Sequence, residues 1–163
     1  MNKFSYNTPV GRIYIAETDG KICTVSFSEI NQGIPIETAL IKKARKQLDE
    51  YFNKTRKTFD LPLKLEGTAF QQTVWKALMK IPYGKTCSYK ELAENINHPQ
   101  AQRAVGAANH NNKIAIIIPC HRVTASNGQL SGYAGGAEIK EFLLRLEGVR
   151  VQIVKKKFFR LQS

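Results

Sequence analysis

Ser88-Tyr89-Lys90-Glu91-Leu92-Ala93-Glu94-Asn95-Ile96-Asn97-His98-Pro99 reads as a helix start followed by a stop. Serine with glutamate three positions on is a capping box, in which each side chain accepts an amide proton that the first turn leaves open. A helix is therefore predicted from Tyr89, with Leu92, Ala93 and Ile96 turned inward. Asn97-His98-Pro99 breaks it. A second short helix is predicted from about Pro99 to Asn109, with proline in the first turn, where its missing N–H does no harm. Two short helices joined by a tight turn make a helix-turn-helix candidate. The second helix carries Ala101, Ala104, Gly106, Ala107 and Ala108, and Arg103 is its only cation. A surface this thin can approach a partner backbone closely, and its first amides favour phosphate. It equally suits a helix packed against its own neighbours. One long side chain on a smooth helix fits a wedge that fills the space of a displaced base better than a reader of several base edges.

Downstream, Ile114-Ala115-Ile116-Ile117-Ile118 reads as a buried strand. It delivers Pro119-Cys120-His121-Arg122. A free cysteine is commonly a small buried hydrophobe. Here proline fixes one side, and His121 and Arg122 offer base and charge on the other. The thiolate is the nucleophilic form, so such neighbours matter. Thr124 to Gly136, with Gly128, Gly132, Gly135 and Gly136, reads as a flexible loop without the lysine and Ser/Thr of a phosphate loop. A last helix is predicted from about Ala137 to Glu147, with Ile139, Phe142, Leu143 and Leu146 on the core side and Gly148 as its cap. Glu147 ends that helix, where the macrodipole disfavours an anion, so it calls for a partner such as histidine. The tail, 149–163, contains Lys155-Lys156-Lys157 and Arg160 and reads as a strand-like extension or a loose basic arm.

Upstream, Thr68 to Lys80 has Phe70, Val74, Trp75, Leu78 and Met79 at helical spacing, and Ile81-Pro82-Tyr83-Gly84-Lys85 ends it in a turn. Residues 1–65 form a different unit. Asp19-Gly20, between alternating apolar runs over 10–15 and 22–27, is a hairpin signal. A helix is predicted from about Glu37 to Phe52, with Leu40, Ala44, Leu48, Tyr51 and Phe52 as its apolar stripe. Phe59, Leu61, Leu63 and Leu65 alternate, and Pro62 pushes them towards a sheet edge. The fold class is α+β. The domain reading is a structural unit over 1–66, a helical unit over 67–150 and a basic tail over 151–163.

The 163 residues are 42% apolar, normal for a globular chain. No apolar run is long enough to span a bilayer, and the N-terminus has no signal-peptide core; a cytoplasmic protein without membrane contact is expected. Cys23, Cys87 and Cys120 lack zinc-site or disulfide spacing, so no metal is expected. Cys23, on a predicted strand, reads as packing, and His98 and His110 read as surface residues. Of the net charge of +12, residues 1–66 carry +3 and residues 67–163 carry +9. That asymmetry fits a polyanionic partner, and it also fits solubility alone.

Taken together, Phe70-Gln71, Val74-Trp75, Ser88-Tyr89, Arg103-Ala104-Val105-Gly106, Asn112, Ile118 to Val123, Tyr133 with Gly135-Gly136, and Leu146-Glu147-Gly148 resemble the O6-alkylguanine-DNA alkyltransferase family. Order and spacing match over about residues 67–148. The resemblance implies a ribonuclease H-like first domain and a winged helix-turn-helix-like second one. It implies a monomer, without cofactor, that acts once on double-stranded DNA carrying O6-alkylguanine and, less readily, O4-alkylthymine. Cys120 would take the alkyl group; His121 would be its base, through a water, and Glu147 would hold the imidazole. Asn112 would brace the turn. Tyr89 would press on the 3′ phosphate of the flipped nucleotide and protonate the leaving guanine. Arg103 would fill the gap, on a DNA face made with Ala101, Gln102, Ala104 and Gly106. Tyr133, Ala134, Val123 and Cys120 would form the alkylguanine pocket, with backbone groups of Cys120 and Val123 receiving the guanine amino edge. Ala134 stands where many members carry serine. The competing reading is a DNA-binding module that recognises alkylated bases, or regulates transcription, without chemistry.

Overall fold

The computed structural model describes residues 1–130, 133–155 and 158–161, by backbone alone beyond Val151. Gly132, the tail residues Lys156 and Lys157, and the side chains of Lys155 and Arg160 lie outside that description. The chain divides into two units, Met1–Glu66 with Lys113–Ile117, and Gly67–Asn112 with Ile118–Ser163.

The first unit is an antiparallel three-stranded sheet, β1 (Asn2–Thr8), β2 (Gly11–Thr18) and β3 (Lys21–Ser26), in that order, with one helix, α1 (Ala39–Phe52). Asp19 and Gly20 both have positive φ at the β2–β3 turn, the mirror-image turn whose twist matches that of the strands. Thr38 caps α1 by accepting from the Ile41 amide. Ile41, Ala44, Leu48 and Tyr51 are buried on α1, as are Ile13, Ile15 and Ile22 on the sheet. Each such aliphatic side chain contributes roughly 1.5–3 kcal/mol. The buried stripe runs through Ile41, whereas Leu40 is only half-buried. Gln47, also buried, exchanges two hydrogen bonds with the Asp60 backbone. This helix thus trades one apolar position for a tether to the 59–65 segment. That segment is not the expected edge strand. Its pairing is a single bridge from Leu63 to Ile22, because Pro62 offers only a carbonyl, which accepts from the Ile22 amide.

The run 114–118 is buried as expected but is not a strand. Ile114 makes one bridge to Val25, and the chain then turns, with Ile116 at φ +70°. A β-branched residue in the left-handed region is strained; burial holds it there. Periodicity cannot separate a buried strand from a buried turn of the same composition.

The second unit is mainly helical: α2 (Ala69–Leu78), α3 (Tyr89–Asn95), α4 (Gln102–His110) and α5 (Ala137–Leu146). Ser88 and Glu91 make the expected capping box, and Thr68 with Gln71 makes another at α2. Val74, Trp75 and Leu78 of α2 are buried, with Leu92, Ala93, Val105 and Ala108 of α3 and α4. The Trp75 indole N–H donates to the Ala108 carbonyl at 2.8 Å, tying α2 to α4. Met79 is exposed, since it follows the last turn of α2. α4 begins at Gln102, three residues later than predicted. Pro99 and Gln100 form a turn ahead of it, and Ala101 is an N-cap without a side-chain bond. On α5 the buried residues are Lys140, Leu143 and Leu144, and Phe142 is exposed. The helix is rotated from its expected setting because two of its charges face inward.

Cys87–Ser88 (β4) pairs in parallel with Val123–Thr124 (β5), which sets the start of α3 beside the segment that follows Cys120. The tail forms an antiparallel pair, β6 (Val151–Lys155) with β7 (Phe158–Leu161), so the strand-like alternative is the one adopted by its backbone. No helix among the described residues is long and apolar enough to cross a membrane.

Candidate active site

Cys120 opens a single 3-10 turn, Cys120–Arg122, that follows Pro119 directly. The turn buries three residues whose side chains are usually exposed or reactive: Cys120 is 4% exposed, His121 0% and Arg122 6%. The Asn112 amide donates to the Ile118 carbonyl at 2.9 Å and to the Cys120 sulfur at 3.2 Å. It therefore braces the chain on both sides of Pro119. Burial pushes the thiol above its usual value, opposed by the Asn112 hydrogen bond and the positive charge of Lys140. At rest Cys120 is a thiol that needs a base, not a free thiolate.

A basic side chain stands next to it in sequence. His121 Nε2 lies 2.6 Å from Glu147 Oε2. Glu147 also accepts from Arg122 Nε at 2.8 Å, Arg122 Nη2 at 3.1 Å and the Gly84 amide at 3.0 Å. Burial would raise its carboxyl, but the hydrogen bonds from His121 and Arg122 outweigh burial and hold it down to about 2. Burial lowers His121 despite its carboxylate partner, so the imidazole is neutral. A neutral ring that donates Nε2–H to a carboxylate has its lone pair on Nδ1. Nδ1 is buried and has no hydrogen-bond partner among the described residues. The Arg122 guanidinium, rather than His121, balances the charge of Glu147, and its third donor goes to the Ile81 carbonyl at 2.7 Å.

Gly84 admits this arrangement. Its φ is +77°, and a Cβ there would stand 3.0 Å from the Glu147 carbonyl oxygen, so a side chain would push the turn off the carboxylate. Gly148, at φ +89°, ends α5, and the next amide, from Val149, returns to the Leu144 carbonyl.

Lys140 is fully buried, and its ammonium donates to the Val123 carbonyl at 2.5 Å. Burial brings it down to about 8, opposed by the charge on Cys120. This residue was not singled out from the sequence. Its signal was the spacing Lys140, Leu143, Leu144, Glu147, a complete i, i+3, i+4, i+7 stripe with charged ends.

Tyr89, the first residue of α3, is half-buried. Burial raises its hydroxyl, the Cys120 charge raises it further, and a side-chain hydrogen bond from Asn109 opposes both. Tyr133 is buried with its ring edge-on to His121 at 6.5 Å, and Ala134 is exposed. On α4, Gln102, Arg103 and Ala104 are exposed, Ala101 and Gly106 half-buried. Cys120, His121, Glu147 and Asn112 are thus joined by hydrogen bonds or by adjacency, whereas Arg103 stands on the outer face. A cleft of about 750 Å³ between α2 and α3, lined by Lys76, Lys80 and Lys85 among others, includes none of these residues. Cys23 is buried on β3, and His98 and His110 are exposed. Among the described residues no His/Cys/Asp/Glu group fit to hold a metal is present.

Two family models match almost end to end: the ribonuclease-like domain of 6-O-methylguanine DNA methyltransferase over residues 1–65, and its DNA-binding domain over residues 69–149. A methylated-DNA–protein-cysteine methyltransferase of Methanosarcina acetivorans is 46% identical over 149 residues, 88% of this chain and 96% of that protein. The constitutive enzyme of that name from Bacillus subtilis is 44% identical over 152 residues, 87% and 92% of the two chains. The crystal structure of Mycobacterium tuberculosis OGT in complex with DNA superposes with a TM-score of 0.85 at 42% identity, covering 90% of this chain and 92% of that one. With a cysteine, a histidine and a carboxylate buried together in the unit that matches the DNA-binding domain, and with relatives of this similarity over nearly its whole length, the chain belongs to the 6-O-methylguanine DNA methyltransferase family.

Proposed function

We propose that this protein repairs O6-alkylguanine in double-stranded DNA by moving the alkyl group onto Cys120, with His121 as base, Glu147 as its anchor and Arg103 in the place of the flipped base. The observation that carries this reading is the buried chain of hydrogen bonds from Arg122 through Glu147 to His121, next to a thiol that burial keeps protonated.

In this scheme the thiol proton passes through a water to His121 Nδ1. The thiolate attacks the alkyl carbon in line; the S–C bond forms as the C–O6 bond breaks, and the electron pair stays on the guanine. Tyr89 gives its hydroxyl proton to that base, and the proton held by His121 restores the balance through solvent. The thioether cannot be reversed by any group in the site, so each molecule reacts once. Glu147 acts by fixing tautomer and orientation, as the third member of a nucleophile–base–carboxylate set does. Asn112 keeps Cys120 aimed. Tyr133, Ala134 and Val123 line the alkylguanine pocket, where Ala134, lacking a side-chain hydroxyl, offers the base only its backbone amide. Gln102, Ala101, Ala104 and Gly106 let α4 approach the backbone closely. The reading extends to a monomer, acting in the cytoplasm without a cofactor, and to slower removal of alkyl groups from O4 of thymine.

The test is intact-mass and peptide mass spectrometry after incubation with duplex DNA containing O6-methylguanine. One methyl per molecule on Cys120 is the expected result, and none on a Cys120→Ala protein that still binds DNA. Lesion-dependent binding with no change of protein mass would instead establish the recognition-only reading.

A further inference from the structure

Asn109 is a buried polar side chain that the scheme above does not use. It sits at the end of α4 and is 2% exposed. Its Nδ2 faces the carbonyl oxygen of Cys120 at 3.4 Å, and a side-chain hydrogen bond links it to Tyr89. Its Oδ1 has no hydrogen-bond partner among the described residues. Burying an amide with an unmet acceptor is destabilising, so as a filler Asn109 is inferior to leucine. One turn earlier on the same helix, a Cβ on Gly106 would lie 3.9 Å from two carbons of the Tyr89 ring. The Tyr89 ring therefore runs along the Gly106–Asn109 stripe of α4.

The chemistry of the partners orients the amide. A backbone carbonyl only accepts, so the side of Asn109 that faces Cys120 is its NH₂. Because Oδ1 has no partner among the described residues, the hydrogen bond to Tyr89 also runs from this NH₂ to the phenol oxygen. A phenol that accepts from an amide has to turn its own proton elsewhere, and the phenolate left after proton release is held by that donor. Among the described groups, the charge that bears on Tyr89 is that of Cys120.

We propose that Asn109 is a positioning residue: by donating to the Tyr89 oxygen while facing the Cys120 carbonyl, it aims the Tyr89 hydroxyl proton at the leaving base and ties that acid to the turn of the nucleophile. The inference rests on Tyr89 acting as the acid. It gives α4 two tasks, with Arg103 on the outer face and Asn109 on the inner one.

The experiment compares single-turnover alkyl transfer by wild type, Asn109→Leu, Tyr89→Phe and the double variant, with duplex affinity measured alongside. Asn109→Leu should slow transfer about ten-fold, the worth of one hydrogen bond to a group that gains charge, while duplex affinity stays unchanged. In the Tyr89→Phe background it should have no further effect. The ring-carbon signal of Tyr89, followed by NMR in tyrosine-labelled protein, should titrate at higher pH in Asn109→Leu, a change that loss of packing alone does not produce. If the leucine variant loses its fold, Asn109→Asp, nearly the same shape but without the donor, carries the same comparison. Wild-type rate in the Asn109 variants beside a slow Tyr89→Phe protein overturns this inference alone, as do additive losses in the double variant. Wild-type rate in Tyr89→Phe overturns the acid role of Tyr89 itself.

Discussion

Glu147 Oε2 and His121 Nε2 are 2.6 Å apart, both side chains fully buried, although 26 positions separate the residues in sequence. One is the C-cap of α5 and the other the middle residue of the 3-10 turn. Their meeting leaves Nδ1 as the lone-pair nitrogen, on the residue that follows the buried Cys120.

In the proposed reaction, that geometry sets the acid limit. Burial lowers His121 below its ordinary value of 6.5, so the neutral base persists as pH falls through that value. Single-turnover rates should hold below pH 6.5 and decline only further down. A His121→Gln protein should be slow at neutral pH and gain rate as pH rises, because hydroxide then has to ionise the thiol.

Glu147 also bears on stability. Its folded-state value, about 2, lies below the ordinary 4.5. The stabilisation is therefore fully present above pH 4.5 and lost as pH falls through about 2. The difference is worth about 3 kcal/mol. Glu147→Gln should lack this acid limb in denaturant unfolding followed against pH. At neutral pH it should lose about 3–5 kcal/mol, because Arg122 is left as a buried, unpaired charge.

Lys140 works in the opposite sense. Burial lowers it from 10.5 to about 8, so below pH 8 the folded state carries a buried ammonium that the unfolded chain would solvate. Lys140 should contribute about 3 kcal/mol of stability gained between pH 8 and 10.5, read as the difference in pH dependence between wild type and Lys140→Met, because the buried thiols of Cys87 and Cys120 pull the other way over the same range in both proteins. The same variant should transfer more slowly, since the positive charge opposes the upward push of burial on Cys120.

Arg103 is exposed on α4, so its removal should leave the fold alone. Unstacking a base costs a few kcal/mol, and the side chain that fills the gap recovers part of it. Arg103→Ala should slow repair in duplex DNA about ten- to a hundred-fold and leave the reaction with free O6-alkylguanine base unchanged.

Local rules made much of this protein legible. The Asp19-Gly20 turn, the Ser88/Glu91 capping box and the glycine after Glu147 each act within a few residues, so their residue types suffice. Cys120 and His121 stood out because they are neighbours in the chain. Glu147 was legible through a local misfit, an anion at the negative end of a helix, which called for a partner without saying which atoms would meet.

Other features depend on contacts between distant segments. The run 114–118 has the composition of a strand, yet the Val25 bridge and the approach to Asn112 bend it into a turn. The setting of α5 differs from the one its apolar residues predict because charged residues normally face solvent, whereas Lys140 donates to the Val123 carbonyl and Glu147 accepts from Arg122. Asn109 has no local signature; its role exists only where α4 passes both Tyr89 and the Cys120 turn. The positions of the helices, the Asp19-Gly20 turn and the Cys120-His121 pair after a proline are readable in the residue types, because they follow from short-range sterics, hydrogen bonding and chain adjacency. Which charges are buried, how His121 is protonated and what bonds to the thiol are settled by contacts between distant segments, because desolvation and Coulomb energies depend on distances that exist only in the folded chain.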